Sequence, residues 1–459
     1  MRLFIALFAA KFTRLALRLC GRNASYLPGA VALKICPDFL RRAARPPEVV
    51  AVTGTNGKTT VSNLLRDALS ALGKNVLSNR LGSNVAAGIA ASLAQGATLG
   101  NKARHDVAVF EVDERYSPKI LPSVEPKLVI VTNLFRDSVM RNAHPEFIIS
   151  FLTRAIPDSA KLLLNADDPI SNALRPDLPR AYFGIRRMES DVTECVNLIN
   201  DCRVCPKCGA ELLYEYRRYH HIGKCRCPEC DYASPEYDYA GEDVDFARMT
   251  VTVRDSGGEG AFKLPSDSVF NVYNVVTVVA ALRELGFGFG EIARAMDAVK
   301  IIESRYNERS ENGTRVIMQM SKDRNALAGS RALDYVSSRS GAKEIVLMMN
   351  NYTDAKKWSE NISWMYDCDF EFLNSPDITR IVTAGPRARD YYLRLLIAGI
   401  AEDKLRCVDD EADTPSALDL PDGGDVYILY GTDGITHAYA MQRRVLDEKA
   451  RRRQLTMNN

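Results

Sequence analysis

The chain has almost no net charge: 60 Lys and Arg against 58 Asp and Glu leave +2 over 459 residues. That balance removes the bulk electrostatic reason to expect a polyanion, so nucleic acid is not an expected partner. Histidine is scarce as well. The five present, His105, His144, His220, His221 and His437, follow no triad layout, and no cysteine sits in a nucleophile elbow with a matched histidine. A glutaminase centre is therefore not expected in this chain. A clean secretory leader is missing too, because Lys11, Arg14 and Arg18 interrupt the apolar start and no small-residue cleavage site follows. The start reads instead as an amphipathic helix, which either packs on the next domain or lies on a membrane surface. An even cysteine count is also lacking. Seven of the eleven cysteines fall between Cys195 and Cys230, a poor disulfide framework and a good metal site in a reducing cytosol.

What is present begins with Val49-Val50-Ala51-Val52-Thr53-Gly54-Thr55-Asn56-Gly57-Lys58-Thr59-Thr60, read as a buried strand, a tight glycine turn and a helix start. Its glycine spacing is shorter than that of the general P-loop. The glycines permit close backbone approach to an anion, Lys58 supplies a cation for terminal phosphates, Thr59 a hydroxyl for Mg²⁺, and the helix N-terminus favours negative charge. Further apolar runs at Val107–Phe110, Leu128–Val131 and Lys161–Leu164 imply a mostly parallel sheet covered on both faces. Polar residues follow each, as expected where ligands gather at the carboxyl ends of such strands. Glu111 could hold Mg²⁺ directly or through water, whereas Asp137 and Asp167 read equally well as ligands or as solvated loop charges.

Between Cys195 and Asp238 the pattern breaks. Cys205-Pro-Lys-Cys208 and Cys227-Pro-Glu-Cys230, eighteen residues apart, have the spacing of a four-thiolate zinc ribbon, whose closed ligand set makes the metal structural. Between these knuckles Tyr214, Tyr216, Tyr219, His220 and His221 either grip a partner or pack the small module. Cys195, Cys202 and Cys225 are left over, with Cys225 close enough to compete as a ligand. Farther on, Asn271 and Asn274 open a strongly apolar helix, either as amides for a purine edge or as caps. From about Lys300 a second α/β unit begins, with strands expected at 315–320, 344–349, 381–385 and 426–430 and a helix at 390–398. The loop after the second of these strands carries Asp354.

These segments resemble the Mur ligase superfamily and, within it, the MurT-type ligase subunits of lipid II isoglutaminyl synthase. The resemblance rests on Thr53–Thr59, Asn79–Asn84, Phe110–Glu114, Thr132–Asp137, the ribbon in mid-chain, Asn351–Asp354 and Ile362–Glu371. It departs at Arg324-Asn325-Ala326-Leu327-Ala328, where the family has Lys-Asn-Pro-Ala-Gly, after Asp354, and at Ser304-Arg305-Tyr306-Asn307-Glu308. The implied fold is α/β, with a helix and linker at 1–46 and a Mur-ligase middle domain of mostly parallel sheet at 47–300. A four-cysteine zinc ribbon is inserted at about 200–235, and a Rossmann-like α/β C-terminal domain occupies 301–459.

The activity implied is ATP-dependent amidation of the D-glutamate α-carboxylate in the lipid II stem peptide, through an acyl phosphate. Gly54, Thr55, Asn56, Gly57, Lys58, Thr59 and Thr60 would bind phosphates, with Thr59 and Glu111 on Mg²⁺ and Asn84 near the γ-phosphate. Asn271 and Asn274 would lie near the adenine, Arg305 would reach the nucleotide, and Asp354 would be the essential carboxylate. Ammonia would come from a GatD-type glutaminase in a heterodimer, in the cytoplasm or at the inner face of its membrane. Two rival readings are a stand-alone ligase of the folylpolyglutamate-synthase kind and a zinc-ribbon ATPase that binds nucleic acid or acts as a scaffold.

Overall fold

A computed structural model describes residues 1–80, 83–136, 144–299, 306–311, 313–321, 325–349 and 362–457. Two compact units emerge, one built on the chain up to Ile302 and one from Glu303 onward, with the short Asn197–Ile199 segment grouped with the second.

The first unit opens with α1 (Arg2–Leu19), α2 (Leu27–Ile35) and the single-turn α3 (Phe39–Arg42). There follow β1 (Glu48–Thr53), α4 (Lys58–Ala71), β2 (Val76–Ser78), α5 (Ala86–Gly96), β3 (Val107–Glu111), α6 (Ser117–Val124) and β4 (Leu128–Val131). Next come α7 (Pro145–Ala155), β5 (Lys161–Asn165) and β6 (Arg180–Ile185). The hairpin β7 (Leu213–Tyr219) and β8 (Ile222–Arg226) stands apart as its own two-stranded sheet. β9 (Tyr239–Asp245), β10 (Thr250–Asp255), β11 (Gly258–Lys263), α8 (Val269–Glu284) and α9 (Phe289–Ala298) complete the unit.

The main sheet runs β11-β10-β9-β6-β5-β4-β1-β3-β2 and is parallel from β2 through β9. All four residues of β4 are buried, and Val49 to Val52 of β1 are at most 3 % exposed, because helices cover both faces. Val49, Ala51, Ala108, Phe110, Val129 and Val131 share one core with α1, α2 and α5. Register sets Ala51 between Phe110 of β3 and Val129 of β4. The antiparallel β9–β11 ribbon is an addition to the strands expected from sequence. In β10, Val251 and Val253 are buried while Thr250, Thr252 and Arg254 are not, the alternation of an edge ribbon with one solvated face.

The second unit contains β12 (Tyr306–Glu311), β13 (Thr314–Met320), α10 (Ala326–Ser338), β14 (Lys343–Met348), β15 (Ile378–Ala384) and α11 (Ala388–Ile397). β16 (Leu405–Val408), α12 (Thr414–Ala417), β17 (Asp425–Tyr430) and α13 (Ile435–Met457) follow. Its sheet runs β12-β13-β17-β14-β15-β16 and is parallel except for the β12–β13 pair. Successive strand residues point to opposite faces. Ile345, Leu347 and Tyr427 therefore join a core under α10 and α11, while Val346, Met348 and Ile428 join the other core with Met441 and Val445 of α13. All four strands expected here are observed, each within a few residues of its expected bounds.

Candidate active site and metal centre

β1 lies between β4 and β3, with β2 and β3 on one side and β4, β5 and β6 on the other. This is the point where strand order reverses, and ligands of open parallel sheets bind at the carboxyl ends there. Three loops converge on it. The Gly54–Gly57 turn leaves β1 and caps α4, with Gly54 at φ 125° and Gly57 at φ 84° in the left-handed region. A Cβ on Gly57 would stand 2.7 Å from Asn274 Oδ1, and one on Gly54 would stand 2.3 Å from Thr132 Oγ1. Only glycine fits either position.

The turn is braced from β4. Thr132 Oγ1 donates to the Asn56 carbonyl at 2.6 Å, Asn133 Oδ1 accepts from Asn56 N at 3.0 Å, and the Thr55 hydroxyl accepts from Phe135 N at 2.9 Å. Asn56 Nδ2 and Thr53 Oγ1 are buried without a protein partner, orphaned polar groups at the turn of the kind that a bound polyanion and its hydration satisfy. Thr59 is exposed in the first turn of α4, and Thr60 is half-buried beside it.

Lys58 is nearly covered. Its ammonium donates to the Gly54 carbonyl and pairs with Glu114 Oε1 at 2.8 Å. Burial alone would lower its pKa, but Glu114, with Glu111 and Asp113 nearby, holds it above the ordinary lysine value. Glu114 belongs to a segment singled out in the sequence, but with no role of its own. Its pairing with Lys58 joins two loops 56 positions apart, which no local pattern encodes.

Glu111 ends β3 opposite Val52. Asn79 clamps its backbone in both directions, its Oδ1 accepting from Glu111 N at 2.9 Å and its Nδ2 donating to Glu111 O at 2.8 Å. Asn84 Nδ2 donates to the Glu111 carboxylate at 3.2 Å, and the Asn84 carbonyl accepts from Asp113 N at 3.0 Å. Asn84 and Glu111 are thus brought together. A carboxylate steered by one amide and beside a phosphate-type turn suits a divalent cation that prefers oxygen ligands.

Asn271 and Asn274 occupy the first turns of α8. Asn271 Nδ2 donates to Ser266 Oγ at 2.6 Å and Asn274 Nδ2 to Asn271 Oδ1 at 3.2 Å, neither bond being a helix cap. The approach of Asn274 to Gly57 sets this amide pair directly beside the turn. Arg305 and Asp354, like Asp137, lie outside the described residues.

The ribbon forms the second centre. The Sγ atoms of Cys205, Cys208, Cys227 and Cys230 all lie within 4.8 Å of one another. Cys205 and Cys230 are 3.6 Å apart, and Cys208 and Cys227 3.4 Å. Tetrahedral Zn²⁺ at about 2.3 Å from each sulfur has edges of roughly 3.8 Å, so the donor set fits the ion. In each knuckle an amide two residues on faces the first sulfur, Lys207 N on Cys205 and Glu229 N on Cys227, both at 3.4 Å. Cys225 does not compete. Its sulfur accepts from Ser234 Oγ, and burial pushes its thiol up to about 11.

The aromatic hairpin between the knuckles packs inward. His221 is fully buried against Asp168, with Nε2 3.3 Å from Oδ1, and its ring lies 4.4 Å from that of Phe135. Tyr219 meets Phe270 of α8 at 4.4 Å. Beneath them Asp167, also fully buried, accepts from Tyr237 and Tyr273 hydroxyls at 2.6 Å, from Arg218 Nη1 at 2.9 Å and from Ile185 N at 3.1 Å. Arg218 also pairs with Asp191 at 2.9 Å. Burial would lower its pKa, but Tyr273, Asp167 and Asp191 outweigh that effect and hold it above the ordinary arginine value. Asp167 is therefore a structural anchor, and the hairpin is tied to the helix that carries Asn271 and Asn274.

Residues 52–193 match the Mur ligase middle domain, and residues 323–432 match the MurT ligase C-terminal domain. The chain is 31% identical over 405 residues, 87% of its length and 89% of the relative's, to the Staphylococcus aureus (strain COL) lipid II isoglutaminyl synthase (glutamine-hydrolyzing) subunit MurT. It is 26% identical over 444 residues, covering 93% of each chain, to the protein of that name from Streptococcus pneumoniae. In fold it is similar to a pseudomurein peptide ligase type C from Methanothermus fervidus, with a TM-score of 0.68 at 22% identity over 89% of this chain and 81% of that one.

Proposed function

Because the chain belongs to the MurT family of Mur ligases, we propose that it is the ATP-dependent ligase subunit that amidates the D-glutamate α-carboxylate of the lipid II stem peptide. One observation carries the reading: the Gly54–Lys58 cradle and the Asn84–Glu111 pair meet at adjacent strand ends, as a nucleoside triphosphate with its cation requires. The names of its relatives supply the substrate.

In this reading Gly54 to Thr60 wrap the phosphates with backbone amides, and Lys58 neutralises charge on the transferred group. Asn84 sits by the γ-phosphate and steers Glu111. Mg²⁺, held by Thr59 and Glu111, would draw charge from the phosphate oxygens. Asn271 and Asn274 contact the adenine, and Arg305 reaches the nucleotide from the second half of the chain. The γ-phosphoryl group passes to the glutamate carboxylate, releasing ADP, and Asp354 is the essential carboxylate supplied by the C-terminal domain. Ammonia attacks the acyl carbon, the C–O bond to phosphate breaks, the proton lost from nitrogen leaves with the phosphate, and the amide forms. Zn²⁺ on the four cysteines does no chemistry. A glutaminase of the GatD type supplies the ammonia as a second subunit, and the pair works at the cytoplasmic face of the membrane that holds lipid II. No helix among the described residues is long and apolar enough to cross a membrane.

The test uses purified chain, lipid II, Mg-ATP and either glutamine with the glutaminase subunit or an ammonium salt. Amidated lipid II, detected by mass, is expected from both nitrogen sources. ATP consumption with lipid II unamidated under both conditions overturns the reading, and amino-acid addition in place of ammonia would assign a stand-alone ligase instead.

A further inference from the structure

The first helix is only half covered. Ala6, Leu7 and Ala10 are buried in the core shared with Ala32 and Phe39, so one face of α1 packs on the unit. The opposite face is a stripe of large apolar side chains left in solvent: Phe4, Ile5, Phe8, Phe12, Leu15 and Leu19 are each between 46% and 80% exposed. From Phe4 to the last residue, Leu19, they recur at three- and four-residue steps, and the rings of Phe8 and Phe12 lie nearly parallel, 6.5 Å apart. Isolated surface hydrophobics need no explanation, but an unbroken stripe of this length marks an interaction surface.

Charge says what the surface meets. Residues 1–37 contain six Lys and Arg and no Asp or Glu. Lys11, Arg14 and Arg18 form a row between the buried face and the exposed stripe. No carboxylate among the described residues pairs with them. Partial burial lowers both Lys11 and Arg14 from their ordinary values, with repulsion from Arg104 and then Arg14 added on Lys11 and from Arg18 on Arg14. A straight stripe of roughly 22 Å on a convex helix suits a flat apolar layer, and an uncompensated cation row suits a sheet of negative headgroups above it.

We propose that α1 is a membrane-docking helix that lies flat on an anionic lipid surface, its Phe4–Leu19 stripe below the headgroups and Lys11, Arg14 and Arg18 on lipid phosphates. The inference rests on α1 alone and not on the amidation reading. It is tested by sedimenting the full chain with vesicles of phosphatidylglycerol and phosphatidylcholine, or of phosphatidylcholine alone. Binding is expected only to the anionic vesicles, weakening as salt rises to about 0.5 M. Phe8→Ser with Phe12→Ser, whose rings lie in solvent, should weaken it by about tenfold or more with Tm unchanged, and Lys11→Gln with Arg14→Gln, which removes the charge and keeps most of each half-buried stem, should weaken it by a similar factor with the fold retained by circular dichroism.

Wild-type protein that stays in the supernatant with anionic vesicles overturns the proposal, as does equal binding by both double variants. A mass in solution that halves in the Phe8→Ser, Phe12→Ser variant also overturns it, because the stripe would then hold a second copy. Amidation of detergent-dispersed lipid II separates failure here from failure of the activity.

Discussion

Lys58 shows how one side chain's environment sets a measurable range. Its ammonium is buried against Glu114, and the pair adds stability that is fully present below the unfolded lysine pKa of about 10.4 and lost as pH rises through the higher folded value. ATP affinity should therefore show no lysine titration between about pH 7 and 9.5. Glu114→Gln removes the main partner and leaves the burial, so the Lys58 titration should move down; an unchanged pH profile by calorimetry would refute the coupling. Lys58→Met should lower kcat/KM for ATP by about 10²–10³, the usual cost of losing one preorganised donor to a developing charge. Gly57→Ala demands a left-handed alanine with its Cβ against Asn274 Oδ1. It should cost about 1–3 kcal/mol in urea denaturation and abolish nucleotide binding.

At the scale of elements, the four-cysteine ribbon and α8 are joined by direct contacts. Tyr219 rests on Phe270, Arg218 and Tyr273 share Asp167, and Asn271 and Asn274 are presented from the same helix. Cys205→Ser with Cys227→Ser should reduce bound zinc from about one ion per chain to none and weaken ATP binding as well, read by metal analysis and calorimetry on the same sample. Zinc loss with ATP affinity intact would uncouple the two. Arg218→Met strands two buried carboxylates and should cost about 3–5 kcal/mol of stability. Elements also show what the sequence could reveal. The β1–turn–α4 unit is legible because strand, glycines and helix start are contiguous, and the ribbon because its cysteine spacing is local. The hairpin aromatics are ambiguous in sequence, since inward packing and partner contact use the same residues; burial of Tyr216 and His221 decides it. The roles of Glu114, Thr132 and Asn133 are not legible, because each depends on a partner brought close only by strand order.

Across the whole molecule, four strands of each sheet are anticipated by buried apolar runs, while β2, β6, β12 and β16 and the β9–β11 ribbon escape; the ribbon does so because an edge with a solvated face leaves a weaker signature. Asp354 belongs to this scale, since its proposed role joins a loop of the second half to chemistry organised in the first. Asp354→Asn should abolish amidation while leaving Tm, zinc content and ATP binding as in wild type; normal turnover would remove it from the site. The web around Asp167 bears on how such a protein can be rebuilt. The ribbon starts and ends near neighbouring strands and looks like a cassette that a short linker could replace. Excision would take away Arg218 and Tyr216 and leave the Asp167 carboxylate in the interior with hydroxyls and one amide but no cation. The insertion is therefore not separable: a shortened chain would need a new neutral residue at position 167, and grafting the ribbon elsewhere would require carrying its acidic socket along.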